Sequence, residues 1–162
     1  MRVLIPRLSY RLTAGQMATS YGHMSLTTAR AIFPRYPLGN DLQMAELVAA
    51  GLPAATLRSL AVAFGVQPTG IAPIVNITEK TILRRLTAGG KLKPEESERV
   101  ARLMRVFVHA VDVLENKDSA RAWLARPLRV LGGRTPLSLM ATEQGAREVE
   151  QVLGRLEHGV FA

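Results

Sequence analysis

An all-α fold, with a helix-turn-helix module followed by a compact helical module, is what this sequence predicts, and three observations predict it. Apolar residues recur at steps of three and four over most of the chain from Leu42 onward. Thr, Asp, Pro and Gly punctuate those stretches in the order that starts and stops helices. No strand pattern of useful length, internal repeat or low-complexity run interrupts them. The chain has 162 residues, 48% of them hydrophobic, which is enough to bury a core. Only 5% are aromatic, so that core is expected to be mostly Leu, Val, Ala and Met.

The first forty residues are the least legible. Arg2, Arg7, Arg11, Arg30 and Arg35 fall there with no acidic residue before Asp41, and Pro34, Pro37 and Gly39 break any helix. Residues 1–46 are therefore expected to form a basic N-terminal extension. A flexible arm and a segment that orders on a partner or a second copy are both open. From Leu42 a helix runs through Ala45, Val48 and Ala49 to a stop at Gly51. Pro53 can open the next helix, because a first-turn residue needs no amide donor. Leu57, Leu60, Ala61 and Phe64 line its face, and Gly65 ends it.

Next come a short segment from Thr69 to Val75, a turn at Asn76, and a helix from Ile77 to Leu86 that ends near Gly89-Gly90. Thr78 is its expected N-cap, since a threonine hydroxyl can accept from an orphan backbone donor. Pro94 starts the longest helix, with Glu95, Glu96 and Glu98 where the helix dipole favours negative charge. Its apolar stripe is Val100, Leu103, Met104, Phe107, Val111 and Leu114. Asp118 is expected to cap a short helix carrying Ala120, Trp123 and Leu124, stopped by Pro127. Gly132-Gly133 permits a positive-φ turn, and Thr135-Pro136 fits an N-cap and first-turn proline. Thr142 caps the last helix, whose face is Ala146, Val149, Val152, Leu153 and Leu156, and Gly159 closes it.

The net charge of +8 is unevenly placed. Residues 1–93 hold eleven Lys/Arg against three Asp/Glu, and residues 94–162 hold ten against ten. A basic front half joined to a neutral back half suggests a polyanion binder joined to something else. The short helix, tight turn and second helix between Thr69 and Leu86 have the shape of a helix-turn-helix. There the second helix enters the major groove with its N-terminal side chains toward base edges. Thr78, Glu79, Lys80 and Thr81 occupy that tip, Arg84 and Arg85 follow where phosphate or guanine is in reach, and Ile82, Leu83 and Leu86 are expected to pack inward. Gly70 and Pro73 fall in the bracing helix, which is therefore expected to be short or distorted.

The order of signals from Leu131 to Ala162, LGGRTPLSLMATEQGAREVEQVLGRLEHGVFA, resembles the toxin-binding domain of the Xre/MbcA/ParS antitoxins, the partners of RES-domain toxins. ARAWLARP, Ala120 to Pro127, fits the same family, and ITEKTILRRL resembles its recognition helix. The resemblance covers about residues 47–162 and implies two domains, a helix-turn-helix over 47–115 and a toxin-binding domain over 116–162. It implies an antitoxin that covers the active site of a RES toxin, which consumes NAD or ADP-ribosylates a target, and that represses its own operon. The contact residues carried over are Arg155, Glu157, His158, Gly159, Val160, Phe161 and Ala162. The alternative is a stand-alone helix-turn-helix regulator without a toxin; a RES-type reading frame next door separates the two.

An enzyme is disfavoured. His23, His109 and His158 are far apart, and no HExxH, paired CxxC or GxSxG occurs. Gly89-Gly90-Lys91 lacks the strand and spacing of a phosphate loop, and Glu95-Glu96 is explained by a helix start. No catalytic residue, metal site or cofactor is expected. The absence of cysteine excludes disulfides and thiolate zinc. No apolar run approaches the ~20 residues of a membrane span, and MRVLIPRLSYRL is no signal peptide. A cytoplasmic protein with no membrane partner is expected. Its partners are a RES-domain toxin, operator DNA, and at least one more copy of itself, with the helix from Pro94 to Glu115 and the N-terminal segment as candidate dimer surfaces.

Overall fold

The computed structural model describes residues 25–159, and among them every regular element is helical. Helices α1 (Leu26–Ile32), α2 (Asp41–Ala50) and α3 (Ala55–Phe64) come first. A 3-10 turn, Pro68–Ile71, runs into α4 (Ala72–Val75), followed by α5 (Glu79–Ala88) and the long α6 (Pro94–Leu114). Then come α7 (Lys117–Ala125), a second 3-10 turn at Arg129–Leu131, α8 (Pro136–Leu139) and α9 (Glu143–Glu157).

The local signals act where the sequence puts them. The hydroxyls of Thr78, Thr135 and Thr142 accept from the backbone N–H groups of Thr81, Ser138 and Gly145. Pro94 and Pro136 occupy first turns, and Gly159 has a φ of 66° just past α9. One cap differs. The Asn116 side chain accepts from the N–H groups of Asp118 at 2.8 Å and Ser119 at 3.1 Å, so Asn116 is the N-cap of α7 and Asp118 lies in its first turn. Glu115, at φ 57°, ends α6 abruptly and lets the next helix begin sooner than expected.

Helix α6 sits at the centre. It packs on α1, α2, α3, α4, α7 and α9, and twelve of its 21 residues are buried. The expectation that it offers a dimer surface is therefore corrected: its apolar stripe is covered by its own chain. One continuous core includes residues of both expected modules, from Leu57 and Ile82 to Met140 and Leu153.

The N-terminal reading is corrected too. Pro34, Pro37 and Gly39 follow α1 and bound it; they do not prevent it. The Ser25 hydroxyl caps α1, and the Ser25 N–H donates to Asp112 on α6 at 2.7 Å. Phe33, 1% exposed, meets Phe107 edge-on with ring centroids 6.5 Å apart, and Phe107 meets Phe64 at 4.9 Å. Residues 25–40 are thus part of the fold, and the expected boundary after residue 46 falls inside α2. The Arg2, Arg7, Arg11 and His23 positions lie outside the described residues. Helix α2 buries only Met44 and leaves Leu42 72% and Leu47 40% exposed.

Gly145 has an internal reason to be glycine. A Cβ there would lie 2.0 Å from the Leu139 carbonyl oxygen, so the end of α8 touches the backbone of α9 directly.

Truncating Phe33 tests whether the N-terminal segment carries the core. Phe33→Ala should destabilise the chain by about 3–5 kcal/mol. Urea unfolding of the full-length protein reads this, and an unchanged midpoint would remove residues 25–40 from the folded unit.

Candidate functional site

The helix-turn-helix is built on a short brace. Gly70 lies in the 3-10 turn and Pro73 in the first turn of α4, where a missing amide donor is harmless. Asn76, at φ 53°, turns the chain into α5. Arg99 of α6 donates to the Val75 carbonyl at 3.4 Å and so holds the end of α4. On α5, Ile82 is fully buried and Leu86 half-buried, as expected. Leu83 is not: it is 53% exposed, because 100° per residue places it on the arc of Lys80, Arg84 and Thr87. Thr78 and Thr81 bond to each other through their hydroxyls at 2.9 Å. Glu79, Lys80 and Arg84 are exposed, so the tip of α5 and its outward face are open to solvent.

Arg85 is placed differently from its expected role. Its guanidinium donates to the Glu96 carboxylate at 2.6 Å, with side-chain exposures of 18% and 11%. The same carboxylate accepts from the Lys93 N–H at 2.8 Å and so closes the first turn of α6. Burial pushes the Glu96 carboxyl up, but the Arg85 hydrogen bond, the Lys93 backbone bond and the charges of both residues outweigh it and hold it below its ordinary value of 4.5. Arg85 thereby fixes α5 on α6. A guanidinium tied inward in this way acts as a positioning group for α5.

The loops around α3 are pinned on both sides. The Leu52 N–H donates to the buried Ser97 hydroxyl at 2.9 Å, and the Lys91 ammonium donates to the Ala50 carbonyl at 3.2 Å. At the other end, Arg121 of the ARAWL stretch donates to the Ala63 carbonyl at 2.8 Å and the Val62 carbonyl at 3.0 Å. It caps α3 and ties α7 to the helix-turn-helix. Sequence reading passed over Arg121, although a cation beside the Gly65 helix end satisfies orphan carbonyls in the usual way.

Helix α9 lies on α6 along a ladder of charged and polar pairs. Arg102 pairs with Glu143, Arg105 with Glu150 at 3.3 Å, and the buried His109 brings its Nε2 within 3.6 Å of the Glu157 carboxylate. The Arg102 hydrogen bond, then that of Arg147, hold the Glu143 carboxyl below its usual value against the opposing effect of burial. Glu157, expected as a partner contact, is thus also the last rung of this ladder. Beyond it, Arg155 is half-buried and His158 and Gly159 are exposed. Val160, Phe161 and Ala162 lie outside the described residues. Gln151, Gly154, Arg155 and His158 line a shallow groove on the outer side of α9. A glycine inside a helix costs about 0.8–1.0 kcal/mol relative to alanine. Unlike Gly145, Gly154 has no described atom within 4 Å of where its Cβ would stand.

Both halves of the chain are similar to known proteins. Residues 43–105 match the family model of the antitoxin Xre-like helix-turn-helix domain. Residues 109–159 match that of the antitoxin Xre/MbcA/ParS C-terminal toxin-binding domain. The chain is 34% identical over 146 residues to Antitoxin Xre of Yersinia enterocolitica, covering 88% of this chain and 99% of that protein. It is 43% identical over 93 residues to Antitoxin Xre of Photorhabdus laumondii, 57% and 63% of the two chains. To the Prs ADP-ribosylating antitoxin of a Sphingobium species it is 26% identical over 121 residues, 69% and 76%. In fold it is similar to a chain of the M. tuberculosis MbcT–MbcA toxin–antitoxin complex, with a TM-score of 0.51 at 24% identity over 67% of this chain and 96% of that one.

The Arg85–Glu96 node makes a pH-dependent prediction. A carboxyl whose folded value is depressed stabilises the fold above its unfolded value and loses that contribution as pH falls through the folded one. Arg85→Ala leaves the partly buried Glu96 without its main partner and should cost about 1–3 kcal/mol at neutral pH. The difference from the unsubstituted protein should shrink once the pH drops below 4.5. Urea melts of both proteins at pH 7 and pH 3.5 measure it; an equal gap at the two pH values would mean that the ion pair is not what Arg85 contributes.

Proposed function

This chain belongs to the Xre/MbcA/ParS antitoxin family, and we propose that it neutralises a RES-domain toxin by covering the toxin's active site and represses its own operon by binding operator DNA. The observation that carries this reading is the joining of two free surfaces by one core. The outward face of α5 and the outer end of α9 lie on opposite sequence halves, yet both are held by side chains of α6. The chain works by binding, with no reaction of its own, and acts in the cytoplasm where operator and toxin are both present. The toxin's chemistry is NAD consumption or ADP-ribosylation of a target; the name of the Sphingobium relative favours the second.

On DNA, Thr78, Glu79, Lys80 and Thr81 meet base edges and Arg84 meets phosphate or guanine. Leu83 adds an apolar contact suited to a thymine methyl group. Arg84→Ala should weaken operator binding and reduce the slope of log affinity against log salt by about one. Lys80→Ala should alter sequence preference by ~1–3 kcal/mol. Titrations at several salt concentrations measure both, and an unchanged slope for Arg84→Ala would take α5 out of the groove.

Tight operator binding calls for two half-sites and hence for a second copy of the chain. The exposed leucines of α2, Leu42 and Leu47, are the candidate contact, since the apolar stripe of α6 is covered. Leu42→Glu with Leu47→Glu should yield a folded monomer by light scattering. A dimer that survives both substitutions places the contact elsewhere.

On the toxin, Arg155 and Glu157 to Ala162 form the contact, with an apolar tip that enters the active site. Removing His158 to Ala162 should release toxin activity, measured as NAD consumption, while operator binding persists. Equal inhibition by the full-length and shortened proteins would mean that the helical surface, not the tail, does the blocking.

A further inference from the structure

Two glycines interrupt α9, and they differ in kind. Gly145 is demanded from inside, because the Leu139 carbonyl oxygen occupies the place of its Cβ. Gly154 is demanded by nothing described in the chain: beyond its own neighbours and the backbone of its own helix, no described atom comes within 4 Å of its Cβ position, and the residue sits in the interior of a 15-residue helix where glycine is a poor helix former. A missing Cβ leaves bare backbone at the floor of a groove, the arrangement that lets another main chain come close. The walls are Gln151, Arg155 and His158, of which Gln151 and His158 are exposed. Their side chains offer an amide, a guanidinium and an imidazole as donors, and among the described residues no carboxylate lines the groove.

We propose that the Gly154 notch is where the main chain of the toxin crosses α9, an edge that presents carbonyl or carboxylate oxygens to Gln151, Arg155 and His158. The position favours this occupant. The notch lies within the stretch that matches the family's toxin-binding domain, one turn before the proposed tail contact, so it extends that surface along the helix. The inference rests on the proposed toxin partnership and adds a second contact to it: the tail blocks the active site, and the notch seats the toxin's backbone so that the tail is aimed.

Gly154→Ala and Gly154→Leu test it, because alanine and leucine favour a helix and neither variant removes a described contact. In the isolated full-length chain both should keep or raise the melting temperature. Against the cognate toxin that copurifies with the unsubstituted chain, Gly154→Ala should weaken binding about tenfold and Gly154→Leu by a hundredfold or more, with Gln144→Ala, exposed near the start of α9, as an unchanged control. Unchanged toxin affinity in both Gly154 variants overturns the notch while leaving the antitoxin reading intact. Failure of the unsubstituted chain to hold any toxin overturns both. If Gly154→Leu lowers the melting temperature of the isolated chain as much as deleting residues 160–162 does, the notch seats the chain's own tail and the proposal falls.

Discussion

A helix of 21 residues with apolar side chains around most of its circumference is stable in water only when other elements cover it, and α6 is that helix here. Val100, Leu103, Met104, Val106, Phe107, Val108 and Ala110 are each no more than 1% exposed, so covering elements must approach from several directions. That requirement brings α1, α3 and α9 onto one axis although they come from distant parts of the sequence. It also explains why three phenylalanines meet at Phe107: a ring fills space where three elements converge, and Phe33 and Phe64 supply the other two faces.

The polar residues of α6 do the addressing. Glu96 holds Arg85 of α5, Ser97 the loop before α3, Arg99 the end of α4, Arg102 and Arg105 the carboxylates of α9, and Asp112 the start of α1. Buried apolar area is non-directional and would tolerate several arrangements of these helices. Hydrogen-bonded charges are not so tolerant, because an unmatched buried charge is costly. The neutrality of the second half of the chain takes on a physical sense in this light. Its carboxylates Asp118, Glu143 and Glu150 face cations of the same chain, and Glu157 lies beside His109. Arg126, Arg129 and Arg134 stay exposed, with no ion pair among the described residues.

Sequence reading does best where the determinant is local. Thr78, Thr135 and Thr142 cap because the donor they satisfy lies three residues on, and Pro94, Pro136 and Gly159 act through their own φ. It does worse where the partner is remote. Nothing near Arg85 in sequence announces Glu96 as its partner in place of a phosphate. Leu83 is expected to pack inward with Ile82 and Leu86, yet those two already fill the inner face of α5. Helix α1 was missed because seven residues between proline-rich flanks carry too few turns to show a period; it exists because Ala29 and Phe33 have a surface on α6 to cover. The order of motifs in the last third pointed to the family, but not to the reason for Arg121, whose acceptors lie nearly sixty residues earlier.

One helix holds both α5 and α9. The first turn of α6 closes on the carboxylate that holds α5, and Arg102, Arg105 and His109 further along it face α9. A division of the chain at the end of α6 would strip α9 from the side chains that position it and uncover apolar surface on α6 itself. The helix-turn-helix and the C-terminal module are therefore separate as sequence matches but share a single core as a folded body. The same buried helix therefore sets the angle of α5 through the Glu96–Arg85 bond and the seat of α9 through Glu143 and Glu157.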